Sequence, residues 1–117
     1  MNINEFDLLF REKIVGAGVT GSVVRIKIDA VKPGWLRLLT HVTIENEDSI
    51  ISKCRIGITR AGRDYFLDEI KDCTAAELCV CSSDLLVGEG DFFFADFTGT
   101  STGNSLVLTA IGWDKKL

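Results

Sequence analysis

Apolar residues recur at every second position along most of this chain. The alternation runs through residues 22–31, 35–45, 50–60 and 85–113, and turn residues interrupt it. A period of two marks strands whose successive side chains point to opposite faces. Val, Ile, Thr and Phe fill these runs, as a half-buried pleated surface favours. Shorter strands are expected at residues 12–15, 63–69 and 78–81. Turns are expected at Lys32-Pro33-Gly34, residues 46–49, Ala61-Gly62, Ser82-Ser83-Asp84, residues 88–91 and Gly103-Asn104. Residues 71–77 read as a helical turn or a long loop. Residues 1–10 read as a weakly held terminal segment. About eight strands and almost no helix predict an all-β fold: an antiparallel β-sandwich, jelly-roll-like, in one domain over residues 1–117. A small β-barrel is the alternative.

The alternation also assigns faces. Phe93, Ala95 and Phe97 share one face and Phe92, Phe94 and Asp96 the other. Leu106, Leu108 and Ala110 oppose Val107, Thr109, Ile111 and Trp113. In 35–45, Leu36, Leu38, Thr40, Val42 and Ile44 are placed inward, and Trp35, Arg37, Leu39, His41, Thr43 and Glu45 outward. In 50–60, Ser52, Cys54, Ile56 and Ile58 are placed inward. Seven large apolar residues then face away from the core: Trp35, Leu39, Phe92, Phe94, Val107, Ile111 and Trp113. Isolated exposed apolar residues need no explanation, but a set of this size marks a contact surface. Burying one such side chain is worth roughly 1.5–3 kcal/mol, so a few per copy would hold an oligomer together. An outward basic patch of Arg25, Lys27, Arg37 and Arg55 is expected to meet the acidic half of a neighbouring copy.

Charge adds to this picture. The net charge is −4, which argues against a nucleic-acid partner held through its phosphates. Residues 11–63 carry ten Lys/Arg against five Asp/Glu, whereas residues 64–117 carry three against ten. Such asymmetry steers copies head to tail, or places opposite-signed strands side by side in one fold. No apolar run approaches a membrane span of about 18 residues. The acidic start of the chain does not read as a leader, so synthesis in the cytoplasm is expected.

Candidate chemistry is sparse. Gly16-Ala17-Gly18-Val19-Thr20-Gly21 matches a dinucleotide-binding fingerprint, but that motif needs a helix to begin at its last glycine. Here a strand pattern follows, so a flexible loop is expected and no cofactor. His41 is the only histidine, so neither a Ser-His-Asp set nor a histidine metal cluster can be built. Cys54, Cys73, Cys79 and Cys81 lack zinc-site spacing and read as buried thiols of a reducing compartment. Asp64, Asp68, Glu69 and Asp72 crowd one hairpin end, and residues 84–91 offer carboxylates for calcium. Both read as turn chemistry. Trp35 and Trp113 would suit a sugar platform.

The segments R-I-G-I-T-R-A-G-R-D-Y-F-L (residues 55–67) and G-E-G-D-F-F-F-A-D-F-T-G-T-S-T-G-N-S-L-V-L (residues 88–108) carry a family resemblance. They resemble hairpins of small all-β structural proteins from bacteriophage and prophage morphogenesis clusters: head-decoration, head-fibre or tail-associated jelly rolls. The likeness extends over roughly the last two-thirds of the chain. It implies a multimeric virion role without catalysis, with copies of itself and other virion proteins as partners. The expectation is a non-enzymatic, self-associating structural protein, with a carbohydrate- or ligand-binding sandwich module as the alternative.

Overall fold

The computed structural model describes residues 8–81 and 84–117. The expected terminal segment falls outside them as far as residue 7, as does the Ser82-Ser83 break. Nine strands occur among the described residues. They are β1 (Leu8–Ala17), β2 (Val24–Lys27), β3 (Trp35–Asn46), β4 (Ile51–Arg60), β5 (Arg63–Cys73), β6 (Cys79–Cys81), β7 (Leu85–Val87), β8 (Phe92–Thr98) and β9 (Ser105–Lys116).

The chain folds as one long antiparallel ribbon. Strand β1 pairs with β9, β2 with β8, β3 with β6 and β7, and β4 with β5. At the ribbon's tip, Ala61 and Gly62 both take positive φ, 51° and 75°, as a two-residue hairpin matched to the right-handed twist requires. Rolling the ribbon brings β9 against β3 and β8 against β4. Two sheets result, β1-β9-β3-β6 with β7 also on β3, and β2-β8-β4-β5. This is the jelly-roll sandwich that the alternation predicts, and not a closed barrel.

The core lies between the sheets. Phe93, Ala95 and Phe97 of β8 meet Leu106, Leu108 and Ala110 of β9, with Ile26, Ile28, Val42, Ile44, Cys54 and Ile56 around them. The face assignments for β8 and β9 therefore hold. In β3 they hold only beyond Thr40. Leu39 pairs with Gly112 and His41 with Ile111, which leaves Thr40 as a β-bulge. One extra residue inverts the side-chain sequence. Leu39 is thus a core residue with 0% exposure, Trp35 packs against the same cluster, and Leu38 turns outward. The outward placement of Trp35, Arg37 and Leu39 is corrected by that single inserted residue, since Arg37 lies opposite the core residue Val87. Ser52, expected inward, is exposed and donates its hydroxyl to the Thr98 carbonyl at 2.7 Å.

Other expectations change as well. Residues 8–10 belong to β1, held by its ladder to β9. The strand expected over 22–31 is regular only from Val24 to Lys27. No helix forms at 71–77: β5 runs to Cys73, and a disulfide joins Cys73 to Cys79. That bond corrects the reading of these two residues as thiols. Cys54 is a free, buried thiol, and burial, with the charge of Asp96 nearby, pushes its pKa up. The glycine run of residues 16–21 enters a strand, as expected, but its loop is docked rather than free. Gly18 N donates to the Asn104 carbonyl at 2.8 Å, Val19 N donates to Thr100 Oγ1, and Thr20 and Thr102 bond each other. Asn46 and Asn104, both buried, brace this end of the sandwich through an amide–amide bond of 3.1 Å.

Gly112 makes the β3 bulge possible. A Cβ there would run into the Leu38 carbonyl and come within 2.9 Å of Leu39 Cα. Gly112→Ala is expected to cost on the order of 3 kcal/mol, because backbone atoms cannot give way as a side chain does. Denaturant unfolding followed by Trp fluorescence checks this.

Candidate interaction faces

The seven outward candidates do not form one surface. Leu39 is in the core, and half-buried Trp35 packs against it. Phe92 and Phe94 lie on the outer face of the β2-β8-β4-β5 sheet. Val107, Ile111 and Trp113 lie on the outer face of the other sheet, across the full thickness of the sandwich.

The β2-β8-β4-β5 face is built in rows. In one row Arg25 stands opposite Asp96, Asp96 opposite Arg55, and Arg55 opposite Glu69. Charges of alternating sign therefore cross all four strands. In the next row Lys27 faces Phe94, Phe94 faces Gly57, and Gly57 faces Phe66. Gly57 is there because the Phe94 ring needs the space. A Cβ at 57 would strike the Tyr65 carbonyl and come within 2.9 Å of Phe94 Cζ. Phe66 meets Phe94 edge-on, with 5.6 Å between centroids at 87°.

Arg25 ties the two rows together. Its guanidinium lies 3.8 Å from the Phe94 ring centre. Nε and Nη2 donate to Asp96 at 2.7 and 2.8 Å, and Nη1 and Nη2 donate to Asp64 at 3.1 and 2.8 Å. A planar fork satisfies two carboxylates and covers one aromatic face, which a lysine cannot do. These bonds, Asp96 first, raise the Arg25 pKa further above its ordinary value. The Asp64 carboxyl is held below its usual range by Arg25, with Thr59 contributing. Lys27 sits over Phe92 at 5.0 Å and Arg55 over Phe66 at 4.0 Å.

The expected basic patch is therefore largely engaged within the chain. Phe94 has 0% exposure without any partner. Arg37 lies apart from the other three. It donates twice to Asp114, at 2.8 and 3.2 Å, and stacks 3.8 Å from the Phe10 ring centre. The pairs Arg25–Asp64, Arg25–Asp96, Arg37–Asp114 and Arg55–Glu69 each join the basic stretch 11–63 to the acidic stretch 64–117. Side-by-side strands account for much of the charge asymmetry.

The opposite face differs in kind. Leu9 stands opposite Trp113, Trp113 opposite Leu38, and Leu38 opposite Leu86. This apolar row spans four strands, with Leu9 46% and Leu86 52% exposed. Next come Arg11, Ile111 and His41, then Lys13, Thr109 and Thr43, then Val15, Val107 and Glu45. No carboxylate pairs with Arg11 or Lys13 among the described residues. Trp113 shares this face with Leu38, whereas Trp35 faces the core, so the two tryptophans do not make one platform. Leu9, Leu38 and Leu86 went unrecognised in the sequence because the bulge at Thr40 hides their common row. The mid-strand glycine at 112 is the signal that would have exposed it.

Of the other candidates, Glu89 accepts from Gly34 N at 2.6 Å, as turn chemistry requires. Among the described residues no group of three His, Cys, Asp or Glu is placed to hold a metal ion.

Arg25→Ala strips Asp96 of its partner and uncovers Phe94. A loss of about 2–3 kcal/mol is expected, less than for a fully buried pair because Arg25 is one-third exposed. Arg25→Lys recovers only part of it, as urea unfolding will report. The Asp64 contribution has an acid limb. Its folded pKa is lowered, so the stabilisation is complete above the ordinary carboxylate value of about 3.9 and fades as pH falls through the folded value. The stability gap between wild type and Asp64→Asn is expected to close over that acid range, as Tm measured against pH would show.

No protein-family model, curated protein or solved structure matches this chain.

Proposed function

We propose that this chain is a non-enzymatic, self-associating structural subunit of the virion-accessory kind. One observation carries the self-association: large apolar side chains stand exposed on two ordered parts of the sandwich. Leu9 and Leu86, exposed, flank half-buried Trp113 and buried Leu38 on one sheet face, and Tyr65, Phe66 and Leu67 are 51%, 41% and 47% exposed in succession on edge strand β5. Isolated exposed apolar residues are ordinary. Exposed leucines at both ends of one apolar row, and three consecutive large apolar residues on an edge, are not.

The virion part of the reading rests on the resemblance of residues 55–67 and 88–108 and on the jelly roll, an architecture recurrent in capsid proteins. It is an analogy at the level of fold. The Cys73–Cys79 disulfide supports it, since disulfides persist on virion and cell surfaces.

Light scattering across protein concentration is the test. A trimer or larger assembly is expected at micromolar concentration. A monomer at every concentration would end this reading.

A further inference from the structure

Charges of opposite sign without an ion-pair partner among the described residues stand beside the two exposed apolar regions, Arg11 and Lys13 near Leu9 and Asp68 next to Leu67, and this specifies how copies meet. On the outer β1-β9-β3 face, Leu9 and Trp113 adjoin the exposed cations Arg11 and Lys13, two and four residues along β1 from Leu9. On β5, Tyr65, Phe66 and Leu67 adjoin Asp68, whose Oδ1 accepts only its neighbour's Glu69 N–H among the described residues. Glu69, next along, is tied within the chain to Arg55 and Lys71, each at 3.5 Å, and Asp72 lies further along the same strand.

Like-with-like contacts are disfavoured. Two β1-β9-β3 faces would bring Arg11 and Lys13 against their own kind, and two β5 edges would set Asp68 against Asp68. Strand β5 is also irregular at Leu67, where the register slips between Ile56 and Gly57. Such a bulge breaks the row of free amides and carbonyls that edge-to-edge pairing needs. What β5 offers a partner is its side chains.

We propose that copies of this chain associate head to tail. The Tyr65-Leu67-Asp68 edge of one copy seats on the Leu9-Arg11-Lys13-Trp113 face of the next. This rests on the self-association reading and refines it. The contact joins two different surfaces, so it propagates: it closes into a ring where the rotation allows and runs on as a filament where it does not. The apolar residues supply the affinity, and the charges set orientation and exclude the like-with-like alternatives.

The experiment uses two variants of the full chain. One carries Leu9→Glu and Arg11→Glu on the face, the other Leu67→Ser and Asp68→Ser on the edge, so that the two altered surfaces do not attract each other. All four positions are exposed, and thermal melts verify the folds. Sedimentation velocity then reads mass. Each variant alone is expected to weaken assembly by at least about tenfold. An equimolar mixture is expected to stop at twice the monomer mass, because the intact edge of one variant meets the intact face of the other and neither can extend. Should either pair unfold its chain, Arg11→Glu with Lys13→Glu, and Asp68→Asn alone, serve in its place.

If wild type assembles but a single variant assembles equally well, or the mixture yields no dimer, the head-to-tail contact is wrong and self-association stands. If wild type is monomeric throughout, both fail.

Discussion

The fold depends on one contact: the inner row of β8 against the inner row of β9. Phe93, Ala95 and Phe97 meet Leu106, Leu108 and Ala110 across the sandwich, and each is nearly or wholly excluded from solvent. The two strands are consecutive in the chain yet lie in opposite sheets, each inside its own sheet. Four further strands pair directly with them: β1 and β3 with β9, β2 and β4 with β8. Burial of these six side chains therefore fixes the spacing of both sheets, and β5, β6 and β7 are added at the margins. Hydrophobic transfer is non-directional. The direction comes from the ladders, which allow only alternate residues to enter the core.

The two outer faces solve the same problem differently. Sheets apolar on both sides need something over the outer face. On the β2-β8-β4-β5 sheet the chain supplies its own cover, with arginine and lysine stems and guanidinium planes laid over phenylalanine rings. Exposed ion pairs alone contribute little. Over an aromatic ring they shield apolar surface while keeping their charge hydrated at the rim. No cation lies over an aromatic ring on the β1-β9-β3 face among the described residues, and Leu9 and Leu86 remain about half exposed at its margins, while Leu38 and Val107 are buried.

Glycine has a recurring role in both sheets. Each of two bulges lies opposite a glycine: the slip in β5 opposite Gly57, and the slip in β3 opposite Gly112. Both positions are crowded by a neighbouring carbonyl, so any side chain would push the strands apart. At Gly57 the vacated space takes the Phe94 ring, and at Gly112 it lets β3 invert its faces. Mid-strand glycines lower the local preference for strand. Here they mark the points where strict alternation gives way.

Period-two alternation and turn chemistry were sufficient, in the sequence by itself, for the fold class, the jelly-roll sandwich, the Ala61-Gly62 hairpin and the two faces of β8 and β9. These are local properties: a strand's pattern and a turn's φ preferences reside in neighbouring residues. Tertiary structure alone decided which outward residues share a surface. It placed Phe94 under Arg25, Leu39 in the core and Leu38 beside Trp113, and it joined Cys73 to Cys79. Register is the reason. A single inserted residue at Thr40 inverts half a strand, and cross-strand neighbours such as Arg25 and Asp96 lie 71 residues apart in the chain, at a separation no local pattern encodes.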